Sequence, residues 1–136
     1  IVYLGDRPAA APRPAPGTPP ADDPAAWTVE TSPTLLFRYS ALTFNGHRIH
    51  YDRSFCQESE GYPGLVVHGP LLATLMVELA RRRGARPIAR FAFRALAPVF
   101  DVAPFTVCGR PEGEGAKVWI ADAEGRLCMD GEVAWG

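Results

Sequence analysis

The chain has 136 residues, 47% of them hydrophobic and 21% charged, which is the size and balance of one globular domain without length for a second. Its 14 Lys and Arg nearly cancel 15 Asp and Glu; the net charge of -1 offers no field for gripping a polyanion, and nucleic acid is not expected as a partner. No run of about 18 apolar residues occurs, and the N-terminus lacks the basic, apolar, small-residue order of an export signal, so no membrane association is expected.

The chain opens Ile1-Val2-Tyr3 and not with methionine, from which a longer parent protein with a preceding N-terminal unit is expected. Residues 1–4 then read as the end of a strand of that unit. Residues 5–26 are a Pro/Ala-rich tract with seven prolines between Pro8 and Pro24, a semi-rigid linker without a core of its own. The folded domain spans 27–136, enough to bury roughly two-thirds of the unfolded chain's surface.

Ala26 to Thr31 alternates as a strand does, and Thr34 to Thr43 has apolar residues at helical spacing behind a Ser32-Pro33 start signal. From Phe44 to Gly64 the run is rich in His, Arg, Asn, Asp, Gly and Pro without a period, which predicts a long ordered loop with Cys56 exposed in it. Gly69-Pro70 opens the strongest helix, which ends in Arg81 to Arg83 with Gly84 as cap. Its first turns, L-L-A-T-L-M-V, are apolar nearly all round, so the helix is expected to be buried on most sides.

Four strands follow, about Pro87 to Val99, Pro104 to Arg110, Ala116 to Ala121 and Arg126 to Ala134, separated by turn signals and expected to form an antiparallel meander. The economical packing curls this sheet around the apolar helix, an α+β arrangement of the hotdog type. A sheet with open edges would pair with a second hotdog unit, either another copy or the expected N-terminal unit.

Polar chemistry gathers at the start of the apolar helix. His50 lies within T-F-N-G-H-R-I-H-Y-D, and His68 immediately precedes Gly69. A helix N-terminus offers free amides and the positive end of the dipole to an oxygen that gains negative charge. Gly69 is the natural donor, because it has no side chain to block approach and Pro70 has no N–H.

The stretches F-R-Y-S-A-L-T-F-N-G-H-R-I-H-Y-D and G-Y-P-G-L-V-V-H-G-P-L-L-A resemble the hydratase motif and central helix of MaoC-like acyl-thioester dehydratases. The resemblance covers about Phe37 to Glu78 and is closest to the branch of mesaconyl-CoA and itaconyl-CoA hydratases and the mitochondrial 3-hydroxyacyl-thioester dehydratase. It implies a hydro-lyase acting on a 2-enoyl-thioester, with an acyl-CoA substrate of short branched or dicarboxylic type, no cofactor, and tandem hotdog units. The family pairs an acid with a histidine five positions later. The histidine falls on His50, but the acid position falls on Asn45, whose amide accepts no proton at neutral pH. Asn45 is therefore expected to orient the water while His50 moves the proton. Asp52 is an alternative carboxylate if the segment is extended and alternation sets it on His50's face.

Arg48, Arg53 and Arg81 to Arg83 are candidate cations for CoA phosphates, although the last cluster is first of all a solvated helix end. Tyr39 and Tyr62 line an acyl pocket or simply pack. His68 is expected to order the loop or helix start and to line the substrate site, in preference to reacting. His47 and His50 alone make a weak metal pair, so no metal is expected, and Cys56 has no evident base to make it a nucleophile. Two other functions stay open: a non-catalytic acyl-CoA-binding half, because the acid is missing, and a hotdog thioesterase. The odd cysteine count, with spacings of 52 and 20 residues between Cys56, Cys108 and Cys128, fits neither disulfides nor zinc and predicts a reducing, cytoplasmic location.

Overall fold

The computed structural model describes residues 26–84 and 86–136. The expected strand end at 1–4 and almost all of the Pro/Ala tract lie outside them. A short strand β1 (Trp27–Val29) leads into helix α1 (Pro33–Leu42), whose start is fixed by Ser32, its side chain accepting from the Leu35 amide at 3.2 Å. Helix α3 (Gly69–Arg83) follows the loop region, and strands β2 (Ile88–Ala95), β3 (Phe105–Glu112), β4 (Gly115–Ala121) and β5 (Leu127–Trp135) complete the chain.

The region from Phe44 to Gly64 is not loop throughout. It contains a 3-10 turn at Arg48–His50 and a short helix α2 (Arg53–Glu58). Asp52 starts α2 by accepting from the Phe55 amide at 3.0 Å, an N-cap signal that the missing apolar period concealed.

The sheet is antiparallel in the order β1-β3-β4-β5-β2. Only β3, β4 and β5 are a meander; β2 pairs with β5 across the sheet, so the simple meander expected from the sequence is wrong at its first strand. The chain does not turn straight back after β2 but crosses over to β3, held on its way by backbone bonds. The Leu96 and Ala97 amides both donate to the Cys128 carbonyl, and the Val67 amide donates to the Val99 carbonyl at 2.8 Å. Gly113 and Gly125 take positive φ in the β3–β4 and β4–β5 turns, where a side chain would be strained.

Helix α3 lies against β2, β3, β4 and β5, the hotdog arrangement. Leu72, Met76, Leu79 and Ala80 pack with Val107, Val118, Ile120, Met129 and Val133 in one core. Gly84 does end α3, but in extended backbone (φ -84°) and not as a left-handed cap. Glycine is needed there because a Cβ would run into the Trp135 indole. A smaller cluster of Cys108, Trp119, Ala121 and Leu127 forms apart from that core.

Candidate active site

Two segments deliver the site. Past α1 the chain turns at Phe44, a non-glycine residue with φ of 53°, and Asn45 closes the turn: its amide donates to the Ser40 carbonyl at 2.9 Å while its Oδ1 accepts from the His47 amide at 3.1 Å. The 3-10 turn that follows ends on His50, which is buried. The second segment, Gly64 to His68, runs beside it and enters α3.

His50 Nδ1 lies 2.7 Å from the Val66 carbonyl oxygen. A carbonyl only accepts, so Nδ1 carries the proton and Nε2 is the lone-pair nitrogen able to take one. His68 is completely enclosed and stacks on His50 with ring centroids 3.7 Å apart and planes within 15°. Its Nε2 is 2.8 Å from Ser40 Oγ, and the Tyr39 ring meets its edge at 4.8 Å. The His47 ring stands nearly perpendicular to His50 at 5.8 Å.

Burial pushes His50 below its ordinary pKa of 6.5, more strongly than its bond to Val66 raises it, and His47 adds to the lowering. Burial, with neighbouring His50 second, takes His68 down to about 4. Both imidazoles are therefore neutral at pH 7.

His68 occupies the cap position of α3 without a side-chain cap bond. The first amides of the helix, Gly69 foremost, are thus left without intrahelical acceptors at the positive end of the dipole. A Cβ on Gly69 would meet nothing nearer than Met129 Cε at 4.0 Å.

The other candidates are held elsewhere. Asp52 does not fit the place of the missing acid: His50 ends a 3-10 turn and Asp52 is the N-cap of α2, so the two are not on an alternating strand, and the carboxylate is taken up by the Phe55 amide and Arg48, which together hold it below its ordinary pKa. Arg48 pairs with Asp52 at 2.8 Å and lies over the Phe55 ring at 4.2 Å. Arg53 donates to Asp101 Oδ2 at 2.5 Å. The Tyr62 ring packs on Phe100, 5.5 Å away. Cys56 is fully buried and not exposed, with Sγ donating to the Ile49 carbonyl at 3.1 Å and its thiol pushed up by burial. Arg81 and Arg82 grip Glu78, and Arg83 donates to the Gly109 carbonyl, at the end of α3 about 20 Å from Gly69 by helical rise.

Among the described residues no group of three or more His, Cys, Asp or Glu is set to hold a metal ion, and no helix is long and apolar enough to cross a membrane.

Sequence reasoning missed Ser40, Val66 and Asp101. Ser40 had a signal, since it falls one helical turn after Leu36 on the buried face of α1. The Val66 carbonyl had none. The Asp101 side chain is buried and ties the loop to the crossover, accepting from Arg53 and, through Oδ1, from the Leu65 amide at 2.8 Å. Gly64 makes room for it, since a Cβ there would lie 2.6 Å from Asp101 Oδ1. Asp101→Ala leaves the Leu65 donor unsatisfied, and an expected loss of about 1–3 kcal/mol should appear as a lower urea midpoint at unchanged slope.

A family model, hydroxyacyl-thioester dehydratase type 2, matches residues 1–101. The chain is 50% identical over 139 residues to the mesaconyl-C(4)-CoA hydratase of Chloroflexus aurantiacus, an alignment covering 100% of this chain and 49% of that protein. It is 40% identical over 98 residues to the mitochondrial hydroxyacyl-thioester dehydratase type 2 of Schizosaccharomyces pombe, covering 70% of this chain and 32% of that one. This chain therefore spans half the length, or less, of these curated relatives. The MaoC-like dehydratase of Phytophthora capsici shares the fold, with a TM-score of 0.72 at 19% identity over 98% of this chain and 48% of that one. With the hotdog architecture and the His50–Gly69 region on the same segment as the family match, the chain belongs to the hydroxyacyl-thioester dehydratase type 2 family.

Proposed function

We propose that the protein is a hydro-lyase that reversibly adds water to a 2-enoyl-thioester to give a 3-hydroxyacyl-thioester. The observation that carries this reading is a neutral His50 with a lone pair on Nε2, stacked on His68, which directly precedes Gly69 at the N-terminus of α3. The thioester carbonyl sits at the Gly69 N–H, which makes the β-carbon electrophilic. His50 Nε2 takes a proton from water as the water oxygen bonds to the β-carbon. The π pair moves to form an enolate on the oxygen held by Gly69, and His50 returns the proton to the α-carbon. Asn45 orients the water.

The substrate class is a CoA ester with a short branched or dicarboxylic acyl group, supported by the likeness to the mesaconyl-C(4)-CoA hydratase. No cofactor takes part in these steps. Arg48 and Arg53 reach CoA phosphates only from within their pairs with Asp52 and Asp101. A second hotdog unit completes the sheet: β1 and β2 are its edge strands, and Phe93 of β2 is half exposed. A cytoplasmic location remains the expectation from the cysteine count.

The natively assembled protein is mixed with mesaconyl-CoA and crotonyl-CoA, and enoyl-thioester absorbance is followed together with free thiol. Loss of absorbance without thiol release supports the hydro-lyase. Thiol release makes it a thioesterase. Tight binding with neither change makes it an acyl-CoA-binding half, the reading that Asn45 in the acid position favours.

A further inference from the structure

The geometry points to Ser40 and His68 as a positioning pair that fixes the ring plane of His50 and keeps water off one of its faces. This inference rests on the reading of His50 as the acid-base group. A histidine that only ordered the helix start would bond the first-turn amides, but the His68 side chain makes no cap bond. Instead it is completely buried, parallel to His50 at 3.7 Å, and anchored from a different helix by Ser40 Oγ at 2.8 Å. Tyr39, one residue before Ser40, closes on the ring edge. The fixed order is therefore α1 to His68 to His50, with the Val66 carbonyl holding the opposite requirement, the Nδ1–H of His50.

The remaining nitrogen of His68, Nδ1, is buried without a hydrogen-bond partner. A protonated ring would leave an unsatisfied charged N–H there, so the position selects a neutral ring. A phenyl ring would fill the same space but offer nothing for Ser40 to hold. Among the described residues, the ionisable groups that act on these two rings are His47 on His50, His50 on His68, and, as ring contacts, the stack of the two on each other and Tyr39; no carboxylate is among them. His50 therefore depends on packing, not on a charged partner, for its orientation, which gives the pair its importance where the family's acid is replaced by Asn45.

The test compares Ser40→Ala, His68→Ala and His68→Phe in the natively assembled protein. Imidazole resonances report the pKa and tautomer of His50 independently of turnover, and enoyl-CoA hydration reports kcat and KM. In His68→Ala, water reaches the exposed face and His50 is expected to titrate close to 6.5, with kcat down ten- to a hundredfold and KM within twofold. His68→Phe keeps the ring stack and the fold, so His50 stays low, yet kcat falls severalfold because the Ser40 anchor is lost; Ser40→Ala should match it.

A risen KM with unchanged kcat would overturn the proposal in favour of substrate contact, and an unaltered His50 titration in His68→Ala would overturn it outright. Full kcat in both His68→Phe and Ser40→Ala would likewise sink it. If the unmodified protein hydrates no enoyl-CoA, the hydro-lyase reading fails, while the His50 titrations still decide whether the pair positions that ring.

Discussion

His50→Ala is expected to lower the rate of enoyl-CoA hydration by two to four orders of magnitude, the usual contribution of a positioned proton-transfer group. The size follows from the lack of a substitute. Asn45 does not titrate, Asp52 is committed to the Phe55 amide and Arg48, and His68 has no exposed surface from which to reach a substrate. The substitution removes the buried His50 ring but touches no residue of the main hydrophobic core, so a cooperative unfolding transition should persist and separate lost chemistry from lost fold. A variant that keeps more than a tenth of the activity would show that another group moves the proton.

The same geometry sets the acid limit of activity. His50 works as a base only when neutral, and burial lowers its pKa, so kcat/KM should hold through pH 6.5 and fall only below it. Stability has the same sign. For His50 and His68 the folded pKa lies below the unfolded value near 6.5, so as pH falls below 6.5, and for His68 down to about 4, the unfolded chain binds more protons. Their contribution is complete above 6.5 and is lost as pH falls through the folded values. A midpoint of activity above 6.5 would contradict the neutral, buried state of the pair.

The elements that were legible in the sequence are those with a strong local period or punctuation. Ser32-Pro33 located α1, Gly69-Pro70 located α3, and the Gly-containing turns located β3 to β5 to within a residue or two. The order of strands was not legible, because β2 departs from sequence order through bonds between backbone groups of Leu96, Ala97, Val99 and partners far along the chain. The site divides in the same way. His50, Asn45 and Gly69 stood out through residue type and spacing, since reactive groups must be of particular kinds. What holds them did not, because any residue has a carbonyl like that of Val66, and a serine on a helix announces a partner 28 positions away only when the fold brings His68 to it. The reading of Asp52 as an acid failed for a simpler reason: alternation was assumed where a 3-10 turn and a helix N-cap lie.

Met76→Ala is expected to destabilise the domain by about 2–5 kcal/mol, and Thr74→Ala, two residues earlier on the same helix, by no more than about 0.5 kcal/mol. The contrast tests the reading of α3 as a helix enclosed by the sheet. Met76 has no exposed surface and sits in the core with Leu72, Leu79 and Ala80, facing strands that contribute Val107, Val118, Ile120 and Met129. Removing its thioether chain leaves a void that a rigid sheet and helix close only in part, so the cavity adds to the lost burial. Between Leu71 and Ala80, Thr74 is the one exposed position, and its hydroxyl turns back to the Pro70 carbonyl at 2.8 Å, a bond that water replaces at little cost. Urea unfolding of both variants at equal slope gives the comparison directly. Equal effects would mean that the apolar belt L-L-A-T-L-M-V is covered on all sides, Thr74 included, as it would be if a second hotdog unit lay across this face of α3 in the assembled protein. A small loss at Met76 alone would mean that the sheet does not close on the helix as the packing of Val118 and Ile120 requires.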